Sequence, residues 1–248
     1  MSTLPDLTSF DAFLFDLDGV LTPTAEVHMR AWQAMFDELF ADWDIAPPYT
    51  DDDYFRYVDG KKRYDGVASL LRSRDVEVPW GHPSDPLTAD TICGIGNRKN
   101  EVFTRVLNEQ GIKPYPGSLA LLDELQGYPL GVVSSSKNAR DVLAAAGIAN
   151  RFVTIVDGIV AENDNLASKP AADMFARGAH DLGIAPDRIA AFEDAHSGVA
   201  SAAAAGMALV VGVDRGAGAE ALLNHGATIV VSDLAEFVPL HSTRNHPA

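Results

Sequence analysis

Asp16 and Asp18 stand one residue apart at the end of the apolar run Phe13-Leu14-Phe15, with Gly19 directly behind them. Side chains alternate along a strand, so two carboxylates at this spacing face the same way where the strand stops, close enough to share a divalent cation. The glycine lets the backbone turn sharply and approach a ligand. This arrangement suits phosphoryl chemistry. Asp-Gly is also an ordinary turn pair, so the run by itself leaves both readings open.

Three further segments bear on that choice. Ser134-Ser135-Ser136-Lys137-Asn138 follows the apolar run Leu130 to Val133 and forms a hydroxyl- and amide-rich turn that opens a helix, whose N-terminus favours an anion. Ser168-Lys169-Pro170 precedes a helix that the proline starts, and Lys169 has no helical task there. Glu193-Asp194 follows another apolar run and leads into Ala195-His196-Ser197-Gly198. Each segment also has a plain structural reading: a serine N-cap, a solvated lysine, acidic residues in the first turn of a helix. Together they place Asp16, Asp18, Glu193 and Asp194, a lysine and a hydroxyl turn on one rim. Anions so close cannot all stay ionised without a cation. An all-oxygen set, with no thiolate cluster and no histidine pair at ligand spacing, favours Mg²⁺.

The elements that must position these residues read as alternating strand and helix from about Tyr128 onward. Strands are predicted at 130–133, 152–156, 188–192, 207–213 and 228–231, and helices at 138–146, 171–182, 195–205 and 220–225. With the first strand at 11–15, this is an α/β fold: a Rossmann-like parallel sheet with helices on both faces, whose ligands gather beyond the carboxyl ends of the strands. The stretch between the first and second strands differs. Helical patterns at 25–40, 51–58, 61–72 and 89–110, with a loop at 78–86, predict an all-helical cap domain inserted after the first strand. The expected division is a core of residues 1–21 and 100–248 and a cap of 22–99. The polar tail from His241 is expected to fray.

The 248 residues carry a formal charge of −16 and are 47% hydrophobic, which suits one generous globular domain with an insertion. So acidic a chain repels nucleic acid and anionic membranes, and neither is expected as a partner. No apolar run is long enough to span a bilayer, and the first residues lack a secretory pattern, so a cytoplasmic monomer is expected. The single cysteine, Cys93, excludes an internal disulfide. Positive charge for a phosphate must therefore come from a bound cation and a few placed side chains. Lys61-Lys62-Arg63 is the densest basic patch and lies just after Gly60, where a helix begins. Cations there oppose the helix dipole, which fits either a solvated face or an anion bound at that end, with Arg63 as a fork.

In this order, Asp16-Leu17-Asp18-Gly19-Val20, the turn from Ser134 to Asn138, Lys169-Pro170 and Glu193-Asp194 resemble the four motifs of the haloacid dehalogenase-like superfamily. The helical insertion resembles its α-helical cap class. Within the superfamily, the stretch from Asp16 to His28, Val58-Asp59-Gly60-Lys61-Lys62-Arg63 and Arg98-Lys99-Asn100 are similar to the β-phosphoglucomutase family. That resemblance implies interconversion of β-glucose 1-phosphate and glucose 6-phosphate through a β-glucose 1,6-bisphosphate. It implies Asp16 as the nucleophile that becomes an aspartyl-phosphate and Asp18 as the general acid and base. Mg²⁺ would be held by Asp16, the Asp18 carbonyl, Glu193 and Asp194. Ser134 and Lys169 would grip the phosphoryl group, helped by Ser135, Ser136, Lys137 and Asn138. His28 and Lys99 would sit near the cap hinge, with Gly60, Lys61 and Arg63 against the far end of the sugar phosphate. The alternative is a Mg²⁺-dependent phosphatase of a small sugar phosphate or related ester, which needs only the core site. His196 matches no role in the family.

Overall fold

A computed structural model describes residues 4–239; the tail from His241 lies outside them. Six strands, β1 Ala12–Phe15, β2 Leu130–Val133, β3 Thr154–Val156, β4 Ile189–Glu193, β5 Leu209–Val213 and β6 Ile229–Val231, form one sheet. All neighbours are parallel, in the order β3-β2-β1-β4-β5-β6. Strands buried on both faces need apolar residues at every position. The central ones comply: Ala-Phe-Leu-Phe in β1 and Leu-Gly-Val-Val in β2 are buried throughout.

Alternate residues divide between two layers. Phe13, Phe15, Val132, Phe192 and Val211 enter one apolar cluster. Ala12, Leu14, Val133, Ala191 and Val210 enter the other. Phe15 and Phe192, paired across β1 and β4, stack with centroids 4.6 Å apart.

Helices α1 Thr24–Asp42, α2 Asp51–Asp53, α3 Arg63–Ser73 and α4 Ile92–Gln110 lie between β1 and β2, followed by α5 Pro116–Glu124. A third apolar cluster, built on Trp32, Phe36, Tyr54, Leu70 and Ile95, belongs to this helical insertion alone. The remaining helices are α6 Ala139–Ala145, α7 Gly158–Asn163, α8 Asp173–Leu182, α9 His196–Ala204 and α10 Ala219–Asn224. The expected end of the cap at residue 99 falls inside α4, which contributes Ile92 and Ile95 to the third cluster and Phe103 to the first.

Some boundaries differ from the periodicity. The helix expected from Lys61 starts at Arg63, because Gly60 turns at φ +68° and Lys62 is still extended. The helix expected from Ala89 starts at Ile92, where Thr91 caps it by accepting from the Gly94 N–H at 3.0 Å. The segment 51–58 holds a single regular turn with a Thr50–Asp53 capping box, then a wider turn through Val58.

β1 sits where the strand order reverses, β2 on one side and β4 on the other. A crevice opens at such a switch point, and the ends of these three strands line it.

Candidate active site

Asp16 leaves the end of β1 with its side chain buried. Its Oδ1 accepts from Lys169 Nζ at 2.7 Å. The same ammonium reaches Glu193 Oε1 at 2.5 Å and the Val133 carbonyl at 3.1 Å, so it joins the ends of β1, β2 and β4. Lys169 is only 1% exposed. Burial works against its charge, but Asp16 and Glu193 outweigh burial and hold its pKa above the ordinary lysine value. Glu193, the last residue of β4, turns its other oxygen to the Ala195 N–H at 3.0 Å.

Asp194 follows. Among the described residues no N–H or O–H donates to its carboxylate. Burial, then Asp59 and Glu193, push its pKa well above the carboxylate range. Burial does the same to Asp16; Lys169 opposes it, while Glu193 and Asp18 add to it. Asp16, Glu193 and Asp194 each offer an oxygen within 4.8 Å of the others. An all-oxygen cluster in which Asp194 has no donor and a single ammonium serves the other two carboxylates fits a hard divalent ion. Gly19 makes room for it, since at φ +86° a Cβ would lie 1.8 Å from Asp194 Oδ2.

Asp18 points elsewhere. It accepts from the Thr24 hydroxyl at the start of α1, lies 3.4 Å from Ser134 Oγ and sits 3.5 Å from His28 Nε2. Burial alone would raise its pKa, but His28, Thr24 and Lys99 more than offset that and hold it below the ordinary value. His28 lies flat on Phe103, ring centroids 4.0 Å apart, and its Nδ1 meets the ammonium of Lys99. Lys99 is 3% exposed and stands 5.0 Å from the ring centroids of both Trp32 and Phe103. Burial, helped by Arg63, drives its pKa well below the lysine value against the pull of Asp18. Burial and Lys99 likewise lower His28. An ammonium donating to Nδ1 places the imidazole proton on Nε2, toward Asp18.

The opposite wall comes from the insertion. Asp16, Asp18, His28, Gly60, Lys61, Arg63, Lys99, Asp194 and the run Ser135 to Asn138 line one pocket of about 70 Å³. Arg63 donates to Asn100 Oδ1 at 2.7 Å, and the same oxygen accepts from Asn138 Nδ2 at 2.8 Å. Burial lowers the pKa of Arg63. Two expected cations face other partners: the Lys61 ammonium donates to Ser69 Oγ at 2.8 Å, and that of Lys137 pairs with Glu162 at 2.7 Å. Ser134 Oγ accepts from the Ser136 N–H, Ser136 Oγ accepts from the Asn138 N–H, and Ser135 Oγ donates to the Gly60 carbonyl at 2.7 Å. With Ser197 Oγ on the Asp59 carbonyl at 2.9 Å and Ser168 Oγ on Asp65 at 2.5 Å, polar bonds stitch the insertion to the sheet part. His196 bonds the Ala217 carbonyl and stacks on His225, so it has structural partners of its own.

Four residues of this site carried no role in the sequence reading. Thr24 holds Asp18, and Asn100 bridges Arg63 to Asn138. Asp59 enters the pocket, its carboxyl pushed up to about 7 by burial against a Tyr54 hydrogen bond. Arg215 follows β5 on the same rim. It donates to the Gly19 and Ser232 carbonyls, both at 3.1 Å, and lies 4.0 Å from the Tyr115 ring centroid. Inspection of strand ends one strand further would have found it.

The family model of the haloacid dehalogenase-like hydrolases matches residues 10–206, and the chain belongs to that family. It is 48% identical over 244 residues to a β-phosphoglucomutase of Mycobacterium tuberculosis, covering 92% of this chain and 91% of that one. A β-phosphoglucomutase of Bacillus subtilis is 30% identical over 205 residues, 83% of this chain and 84% of the relative. The crystal structure of a β-phosphoglucomutase from Clostridium difficile shares the fold at a TM-score of 0.74 and 24% identity, covering 92% of each chain. Among the described residues no helix is long and apolar enough to cross a membrane.

Proposed function

We propose that the protein is a Mg²⁺-dependent β-phosphoglucomutase. One observation carries the reading: across a single pocket, the acid cluster of the sheet wall faces Arg63 and Lys99 on the helical wall. A phosphatase needs one phosphate site, whereas a mutase working through a bisphosphate needs a second anion site opposite the first. The 48% identity to a β-phosphoglucomutase over most of both chains supports the same choice.

In this reading residues 22–99 are a cap that closes on a core, and sugar phosphate binds between them. From the phosphorylated enzyme, the C6 hydroxyl of β-glucose 1-phosphate loses its proton to the Asp18 carboxylate and attacks the phosphorus carried by Asp16; the bond from that phosphorus to Asp16 breaks and the bisphosphate forms. In the return half the sugar has turned: the Asp16 carboxylate attacks the phosphorus on C1, the P–O bond to the sugar breaks, and Asp18 gives its proton to the departing oxygen, leaving glucose 6-phosphate. Lys169 stabilises charge on the transferring oxygens, with Ser134 and the Ser135 amide. Arg63 holds the idle phosphate as a fork. Asp16, Asp194, Glu193 and the Asp18 carbonyl would hold Mg²⁺, which supplies further neutralisation of the transferring group. The Lys99–His28 pair keeps Asp18 oriented and favours the ionised form that takes the hydroxyl proton.

The decisive experiment supplies β-glucose 1-phosphate, Mg²⁺ and a trace of β-glucose 1,6-bisphosphate. Glucose 6-phosphate is the expected product, and Asp16→Asn should make none. Inorganic phosphate as the main product would identify a phosphatase instead.

A further inference from the structure

The insertion carries a loop, residues 78–91, that is fastened far more firmly than the pocket above requires. The Ile92 and Cys93 N–H groups donate to the carbonyls of Pro79 and Trp80, both at 3.0 Å. Asn97 donates to the carbonyls of Pro83 and Asp85, and Arg98 to that of Ala89. Gly81 turns at φ +77°, where a Cβ would lie 2.2 Å from Asp85 Oδ2. The result of this bracing is an indole held out in solvent: Trp80 is 51% exposed.

Trp80 borders a second cavity of about 330 Å³, within the size range of small-molecule sites. Tyr64 and Trp80 stand on the helical side, and Glu162 and Asn165 on the sheet side. Arg63, Ser135 and Lys137 line both cavities and form the partition between them. The cations here already have partners. Lys137 pairs with Glu162, Lys62 donates to the Leu166 carbonyl, and Arg63 donates to Asn100. Asp65 and Glu162 add negative charge to the lining. A phosphate would have to displace these bonds. What the cavity offers is an aromatic face beside mixed donors and acceptors, the requirement of a neutral polyhydroxylated ring whose C–H face is apolar and whose rim is polar.

We propose that this cavity binds a non-phosphorylated hexopyranose ring stacked on Trp80, with its hydroxyls on Glu162, Asn165 and Lys137. Because its walls come from both the insertion and the sheet part, the ring binds only their closed arrangement. The site is independent of the mutase reading.

Calorimetric titration of glucose, and separately of maltotriose, into the full chain with Mg²⁺ tests it. Saturable binding is expected. Tighter binding of maltotriose assigns the end of a glucan, and equal binding assigns the free sugar. Trp80→Ala should weaken binding at least about tenfold and Trp80→Phe much less, with the fold of both checked by circular dichroism. No saturable binding of either sugar, or binding untouched by Trp80→Ala in a folded protein, overturns the proposal.

Discussion

On the sheet wall of the pocket, Asp16 and Asp194 are buried carboxyls held above the usual range, whereas on the helical wall the half-buried Arg63 and the buried Lys99 are cations held below theirs. Each wall is electrostatically unsatisfied in the opposite sense. Burial is the largest cause on both sides, so neither wall gains its charge without a cost in desolvation. A metal relieves the first and an anion the second. A ligand carrying both, a phosphate ester with its divalent ion, matches the pair better than either component alone. Asp59 breaks the pattern, as a carboxyl on the helical wall raised to about 7.

The sharpest break of this contrast is Lys169→Met. It removes the one buried cation of the sheet wall and leaves Asp16 and Glu193 uncompensated. Turnover should fall about 10²–10³-fold, and the metal-free protein should lose about 3–5 kcal/mol of stability near neutral pH. Rate assays and denaturant melts measure the two effects. An unchanged melt would show that the acid cluster does not depend on this ammonium.

Arg63→Met tests the other wall. Loss of a charge-assisted hydrogen bond is worth about 1.5–3 kcal/mol, so mutase turnover should drop about 10- to 150-fold while Mg²⁺ affinity by calorimetry stays put. Equal loss of metal binding would erase the distinction between the walls.

The smallest effect is on stability against pH. In the fold the Asp59 carboxyl titrates at about 7, against about 4 in an unfolded chain. Between those values the folded state keeps the extra proton, so stability falls as pH rises. The slope for one such group is at most about 1.4 kcal/mol per pH unit. Asp16 and Asp194 act in the same direction. Thermal melts in chelator should therefore decline from mildly acidic to neutral pH, and Mg²⁺ should flatten the decline. His28 and Lys99, held below their ordinary values, oppose this decline, so Asp59→Asn is the control, and a slope it leaves unchanged would contradict the raised carboxyl.

The sheet was legible because a parallel strand buried on both faces leaves an uninterrupted apolar run, as in Phe13 to Phe15 and Leu130 to Val133, and because Gly147, Gly183 and Gly206 stop helices. The residues after those runs were the site residues that the structure brings together. Less was legible where local signals were faint. Pro116 at the first turn of α5 and Asp157, which caps α7 through the Ile159 and Val160 N–H groups, mark helices too short to show a period. The destinations of Lys61 and Lys137 were hidden for a different reason. A flexible side chain follows whichever partner the fold places nearby, here Ser69 and Glu162, and no spacing in the chain announces either.

Beyond the start of α1, whose Val27 and Ala31 enter the first apolar cluster, hydrogen bonds join the insertion to the sheet part through Lys62, Ser135, Asn138, Ser168 and Ser197. Water can replace each of these bonds almost evenly. Parting along that line would expose little oily surface and so carry almost no heat-capacity change. Such an opening equilibrium would follow a nearly straight van 't Hoff line, without the curvature that exposing an oily interface brings.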